Sequence, residues 1–318
     1  MAVHPLLRRA RANPQVLHWQ TWAALEPGPA LIVLGAVHGN EVCGAQALVR
    51  AVDDLAQGRL VLERGRLTLL PVTNPLAYRL GTRGGERNLN RHFSPRPDPR
   101  DYEDRITRVL APLLAAHDAL LDLHSSHTAG APFAMIGPRD NTGSREPFAR
   151  AREELALARA LGAERIVQGW LEVYDRDARA RGVPAGDEGI GTNEYLRSQG
   201  GYAVTLECGA HDDPRATEVA TRALRGALAH LGLARVPAPP PCTVPATRLT
   251  AVVRREHAGD HWVRDWRDFD PVAAGELIGW RADGRALRAE RAGCILFPLA
   301  QARPGQEWFF LAEPDPAG

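Results

Sequence analysis

The first strong pattern along the chain is an unbroken apolar run, Ala30 to Val37 (ALIVLGAV), ended by His38-Gly39-Asn40. A β-branched run without polar alternation predicts a strand buried on both faces. From Glu41 to about Ala56 the apolar positions become Val42, Ala45, Leu48, Val49, Val52 and Leu55. That spacing is helical, so strand, tight loop and helix follow one another. The alternation then repeats. Arg66 to Val72 reads as strand, Asp101 to His117 as helix, and Ala119 to Leu123 as a fully apolar strand closed by His124. Pro147 to Leu161 reads as helix, Gly201 to Leu206 as a strand closed by Glu207, and Pro214 to Leu233 as helix. Such alternation predicts an α/β fold with a mostly parallel or mixed sheet flanked by helices. The Asp-, Arg- and Gly-rich stretch from Glu172 to Gly191 reads as a long loop over the sheet.

The pattern changes at Val236 to Pro245 (VPAPPPCTVP), where proline forbids both helix and central strand. Beyond it, short apolar runs at Arg248 to Arg254, Glu276 to Trp280, Cys294 to Pro298 and Trp308 to Leu311 are separated by Gly and Asp. The expected organisation is an α/β domain over residues 1–235, a Pro-rich linker over 236–245 and a small C-terminal all-β domain over 246–318.

Composition narrows the function classes. The 318 residues are 44% hydrophobic and 24% charged, with a formal net charge of +1. Nothing in that balance draws the protein to nucleic acid or to an anionic membrane. The 39 basic residues are all arginine. Chemistry that needs a lysine is therefore excluded: a P-loop lysine, a Schiff base, or a biotin or lipoyl attachment. Cys43, Cys208, Cys242 and Cys294 are widely spaced, which argues against a cysteine metal site or a disulfide framework. The N-terminus lacks the apolar core of a signal peptide, and no run approaches the roughly 18 apolar residues of a membrane span. The expected location is cytoplasmic.

In open α/β sheets, ligands bind beyond the carboxyl ends of the strands. Three predicted strands end there on metal-binding or acidic residues: His38 with Glu41, His124, and Glu207. Two histidines and one glutamate are a recurring zinc set that leaves a coordination position for water. His38, Glu41 and His124 supply that set for one Zn2+ per chain. Glu41 also suits a helix N-terminus, where a carboxylate is favoured by the macrodipole; the two roles are compatible.

With those residues in place, the chain resembles the aspartoacylase and succinylglutamate desuccinylase group of zinc carboxypeptidase-like hydrolases. Four motifs carry the resemblance: GAVHGNE at Gly35 to Glu41, NLNR at Asn88 to Arg91, LLDLHSSHT at Leu121 to Thr128, and TLECG at Thr205 to Gly209. DFDPVAAGELIG and AGCILFP near the C-terminus resemble the family's small β-domain. The resemblance implies a zinc-dependent hydrolase that cleaves the amide of an N-acyl amino acid, such as succinylglutamate or N-acetylaspartate, to a carboxylate and a free amino acid. It implies zinc on His38, Glu41 and His124, and Glu207 as general acid/base. Arg83 would stabilise the oxyanion, Asn90 and Arg91 would bind a substrate carboxylate, and Arg197 would be a second substrate arginine. An anionic small-molecule substrate follows.

Two departures bear on specificity. The aspartate usual at the head of the second motif is Asn88 here, and the last tyrosine is Tyr202, whereas the aspartoacylase branch uses a tyrosine of its C-terminal domain. The C-terminal motifs more closely resemble the desuccinylase branch. Two other readings stay open on sequence: a zinc metallocarboxypeptidase acting on a peptide, and a non-catalytic zinc- or ligand-binding protein. An N-acyl amino acid hydrolase should have its pocket closed by the C-terminal domain, whereas a peptidase needs an open cleft. That domain would otherwise serve as a subunit contact in a homo-oligomer.

Overall fold

Strands and helices alternate through most of the chain in the computed structural model, which describes residues 3–143 and 145–315. The order begins α1 (Pro5–Ala12), β1 (Gln20–Ala23), β2 (Ala30–Gly35), α2 (Cys43–Ala56), β3 (Arg66–Leu70), α3 (Pro75–Leu80), α4 (Tyr102–Ala115) and β4 (Ala119–Ser126). It continues with β5 (Phe133–Met135), α5 (Ala151–Ala160), β6 (Arg165–Gln168), α6 (Trp170–Ala180), α7 (Thr192–Ser198), β7 (Tyr202–Ala210) and α8 (Ala216–His230). Only strands follow: β8 (Thr247–Arg254), β9 (His261–Trp262), β10 (Pro271–Val272), β11 (Leu277–Trp280), β12 (Ala286–Arg288), β13 (Gly293–Leu296) and β14 (Glu307–Pro314). Among the described residues no helix is long and apolar enough to cross a membrane.

The main sheet runs β1-β3-β2-β4-β7-β5-β6-β8-β14-β13-β10, and β12-β11-β9 form a separate small sheet. Strands β2, β3, β4 and β7 pair in parallel, which requires crossover connections and so places helices on both faces. Alternation within each strand separates two cores. Leu31 and Val33 of β2 and Leu121 and Leu123 of β4 face α2, α5 and α8 through Leu48, Leu157 and Leu224. Ile32, Leu34 and Leu120 face α4 and α7 through Ile106, Leu110 and Leu196. Asp122 and His124 continue the face of Leu120, and Thr205 and Glu207 continue that of Ala203. The polar residues at the strand ends thus share one side of the sheet.

Two sequence expectations are corrected in detail. The stretch from Glu172 to Gly191 is not loop throughout, because α6 covers its first half. Leu171, Tyr174 and Ala178 are buried at helical spacing, a narrow apolar stripe obscured by the charges around it. His124 and Glu207 do not end their strands, since β4 continues to Ser126 and β7 to Ala210. Their Cα atoms are register partners, followed by an irregularity before Ser126 pairs with Ala210. Most of the C-terminal strands join the edge of the α/β sheet. Strand β8 pairs in parallel with β6, and β14, β13 and β10 extend the same sheet. That continuity brings residues of the last strand to the mouth of the site.

Candidate active site

The tip of β2 carries the first site residues on a tightly constrained loop. Ala36 has a left-handed φ of 44°, an unfavourable conformation for a residue with a Cβ, of the kind that clusters at functional sites. Gly39 lies so close to α3 that a Cβ there would meet the Ala77 carbonyl carbon at 1.9 Å. Only glycine allows the loop to pass there, and its course turns both His38 and Glu41 toward β4.

Those two residues and His124 are buried, and one ligand atom from each lies within 4.8 Å of the others. Glu41 is at the centre. Its Oε2 accepts from His124 Nδ1 at 2.8 Å and from the Ser125 amide at 3.1 Å. Its Oε1 accepts from Arg83 Nη1 at 3.0 Å and lies 2.9 Å from His38 Nδ1. The opposite ring nitrogens are held from behind: His38 Nε2 is 2.9 Å from Asn88 Oδ1, and His124 Nε2 is 3.0 Å from Asp122 Oδ1. Outer partners of this kind fix the tautomer and orientation of ligating histidines. Both Nδ1 atoms are thereby aimed at one point. His38 Nδ1 is buried and makes no hydrogen bond despite its nearness to Glu41.

The charges of this cluster respond to one another. Burial, then Arg83, holds the His38 imidazole down to about 4. Burial disfavours charge on His124 as well, but Asp122 and Glu41 overcome it and raise that imidazole well above its usual range. Glu41 is held well below the carboxylate range against its burial, by His38 and His124. The His38 imidazole, neutral and with an unpartnered Nδ1, the Glu41 carboxylate and the neighbouring His124 ring form a buried donor set that fits a divalent cation of the zinc type, which would take the place of the proton on His124.

Glu207, beside His124 across the β4–β7 pair, has a buried Oε2 with no hydrogen-bond partner. Burial and the Glu41 carboxylate push it up to about 8. Arg83 is the most exposed of the arginines placed here, with 42% of its side chain accessible. The loop carrying Arg83 and the NLNR motif hangs on Glu103 of α4, which is fully buried. Its carboxylate accepts from Asn74 Nδ2 and from the amides of Gly85, Glu86 and Arg87. Arg87, indistinguishable from a surface charge in the sequence, bridges Asp101 and Asp104 and donates to the Asn88 and Arg91 carbonyls.

The remaining expected substrate residues have other partners. Asn90 donates to Asp122 Oδ2 at 3.3 Å and accepts from the Thr192 amide, so its side chain braces the face behind His124. Arg91 donates to its neighbour's carbonyl, to the Tyr174 hydroxyl at 2.7 Å and to Glu307 at 3.2 Å. Arg197, expected to offer its guanidinium to substrate, has other partners as well. Arg197 borders the cavity, but its side chain is 2% exposed and its donors serve Glu154, Glu146, Glu194 and the Ala203 carbonyl. In the sequence, Asp122 was visible as the one charge in an apolar strand, whereas nothing local marks Glu307 or Tyr174.

Three carboxylates around one guanidinium leave excess negative charge. Burial, outweighing the attraction of Arg197 and aided by Glu194 and Glu154, pushes Glu146 up to about 7. A carboxyl raised in the folded state favours folding at low pH, and that contribution is lost as pH rises from the unfolded value through about 7. Glu146→Gln is therefore expected to be more stable than the parent at pH 8, by on the order of 1–3 kcal/mol, and equal to it at pH 5. Urea unfolding at the two pH values tests this; a difference independent of pH contradicts it.

His124, Glu207 and Arg83 open onto a cavity of about 470 Å³. Its far side is formed by Trp170 and by Phe297, Leu299, Gln306, Glu307 and Phe310 of the C-terminal strands and loops.

Comparison with known proteins places this arrangement. The family model of the succinylglutamate desuccinylase/aspartoacylase catalytic domain matches residues 27–232. N-alpha-acetyl-L-2,4-diaminobutyric acid deacetylase from Halomonas elongata is 29% identical over 291 residues, covering 84% of this chain and 77% of the relative. Succinylglutamate desuccinylase from Pseudomonas aeruginosa is 26% identical over 323 residues, covering 94% of this chain and 90% of the relative. Among solved structures, succinylglutamate desuccinylase from Vibrio cholerae superposes with a TM-score of 0.71 at 18% identity, over 97% of this chain and 94% of that one. The product-bound ectoine utilization protein EutE (DoeB) from Ruegeria pomeroyi gives 0.70 at 23% identity, over 93% and 88%. At those identities the two structures establish the shared fold.

Proposed function

This chain belongs to the succinylglutamate desuccinylase/aspartoacylase family, and from that premise we propose that it is a zinc-dependent hydrolase of N-acyl amino acids, releasing a carboxylate and a free amino acid. The observation that carries the reading is the convergence of His38 Nδ1, His124 Nδ1 and the Glu41 carboxylate beside a cavity reached by Glu207 and Arg83. Zinc held there supplies Lewis acidity, activating water near neutral pH and polarising the amide carbonyl.

The protein's own residues supply the rest. Glu207 receives a proton from the attacking water at its free carboxylate oxygen and passes it to the departing nitrogen, as a general base that becomes a general acid. Burial, then Glu41 and Asp268, raise the Glu207 carboxyl; a cation held by Glu41 would offset the second of these and favour the proton-accepting carboxylate. Arg83, half-exposed and lining the cavity, is the guanidinium that faces the developing oxyanion. Asp122, Asn88 and Asn90 keep the imidazoles in place.

The dimensions of the pocket favour a small substrate over a peptide, because the C-terminal strands and loops wall its outer side. The named relatives act on an N-acylated dicarboxylic amino acid in one case and an N-acetylated diamino acid in the other, so the family leaves the substrate side chain open.

Purified protein is expected to contain about one zinc per chain, as a single three-ligand site requires. His38→Ala should lose most of that metal, together with hydrolysis of a panel of N-acyl amino acids. Metal analysis by mass spectrometry beside the activity assay checks both; a variant that retains full metal removes His38 from the ligand set.

A further inference from the structure

The cavity is polar at the metal cradle and apolar away from it. Among the described residues that line it, the buried side-chain atoms without a hydrogen-bond partner are Glu207 Oε2 and Asn193 Oδ1. Both belong to its inner side: Glu207 stands on β7, and Asn193 donates to Thr205 of the same strand. The next strand is β5, where Met135 is the register partner of Thr205 and so carries its side chain to the same face. From Met135 outward the cavity is lined by Trp170, Phe297, Leu299 and Phe310. The one nitrogen in those side chains, Trp170 Nε1, already donates to the Gly189 carbonyl. Trp170 stacks on Phe310 at 5.6 Å, and Phe297 meets the same ring edge-on at 5.8 Å.

Phe297 holds its place against its own backbone preference. Its φ is 49°, a left-handed conformation of the kind retained at functional sites when the surroundings enforce it. Here its amide donates to Asp268 Oδ1 at 2.6 Å, and the other oxygen of that buried carboxylate accepts from the Ser126 and Thr128 hydroxyls. The ring is thus tied to the end of the strand that carries His124. Charges at this wall cancel. Arg91 pairs with Glu307, while Arg254 and Arg181 together pair with Asp177 and Glu188. The Arg197 group keeps an excess of acid, but Glu154, Glu194 and Glu146 are only 1%, 11% and 13% exposed and all three bind the guanidinium.

Resting on the deacylase reading, we infer that the substrate is an Nα-acyl amino acid with an extended apolar side chain, received by Met135, Trp170, Phe297 and Phe310. The direction follows from the chemistry. Glu207 returns its proton to the leaving nitrogen, so the amino acid half lies on the β7 side of the metal and its side chain continues across β5, about 4.8 Å further along the sheet. An apolar arm gains burial there. A terminal charge of either sign gives up its hydration to a surface whose own charges are already paired.

The test uses the full chain loaded with zinc and the Nα-acetyl derivatives of L-norleucine, L-lysine, L-glutamate and L-alanine. Norleucine and lysine share a four-carbon arm and differ in the terminal ammonium. The norleucine compound is expected to exceed each of the others at least tenfold in kcat/KM. Phe297→Ala should lower the norleucine-to-alanine ratio at least fivefold, through KM and not kcat. Met135→Ala, at a half-buried position, should lower it at least threefold and decides the question if Phe297→Ala does not fold. An advantage short of tenfold over any of the three, or a ratio unchanged in the variants, overturns the inference. Calorimetric binding of the free amino acids keeps the two readings apart. If none of the compounds is hydrolysed, the deacylase reading fails; norleucine binding at least tenfold tighter than lysine and glutamate then still supports the apolar pocket, and any other order, or no binding, overturns it.

Discussion

Glu207→Gln is expected to lower kcat by two to four orders of magnitude, about the contribution of a positioned general base, while the purified variant keeps its full zinc content. The two halves of that result have separate physical causes. Metal retention follows because Glu207 is not among the three converging ligands; the substitution is isosteric and leaves His38, Glu41 and His124 undisturbed. Loss of turnover follows because an amide cannot take up the water proton or return it to the leaving nitrogen. The orphaned Oε2 of Glu207 has no structural bond to lose, so stability should not fall. Steady-state kinetics with metal analysis on the same preparation measures both halves. A kcat within threefold of the parent would remove Glu207 from the chemistry, and loss of metal would make it a ligand instead.

Replacing Arg197 with methionine should cost roughly 3–5 kcal/mol of stability, the penalty for removing one partner of a buried ion pair. Glu154 is 1% exposed, Glu194 11% and Glu146 13%, so Glu154 above all cannot turn to water for the charge it loses. Glu154 would still accept from the Ala203 and Gly137 amides, which fixes its position and holds the unpaired charge in place. The loss should shrink at pH 5, where the carboxyls can take up protons. Denaturant unfolding at pH 7 and pH 5 measures it. A substrate-binding arginine would behave in the opposite way, raising KM while leaving the unfolding midpoint unchanged, and that result would restore the role expected from the motif spacing.

The contrast between Arg197 and His38 shows which kind of residue is readable before folding. His38 and Glu41 sit within one strand-to-helix turn, so a fully apolar run followed by HGNE already limits where their side chains can go. His124 follows another such run, and Glu207 a third, and parallel strands in one sheet must bring those ends together. The same logic fails for arginine. Every basic residue of this chain is an arginine, most are paired surface or structural cations, and spacing from a motif does not say which acid each one meets. The segment carrying α6 hides its helix for a related reason: the buried Leu171, Val173, Tyr174 and Ala178 are broken up by Glu172, Asp175, Arg176 and Asp177.

The sequence by itself determined the alternation of strand and helix, the all-β character of the C-terminal part, and the residue types of the His38, Glu41 and His124 cluster and of the acid beside it. Those properties depend on side-chain period and residue chemistry over a few neighbouring positions. The tertiary structure alone decided that β8 continues the catalytic sheet, that Asn88 and Asp122 back the two imidazoles, and that Glu307 reaches Arg91 across 216 positions of chain. Pairings at that distance are selected by how elements pack and by which buried charges must be neutralised, and the pattern of apolar and polar residues encodes neither locally.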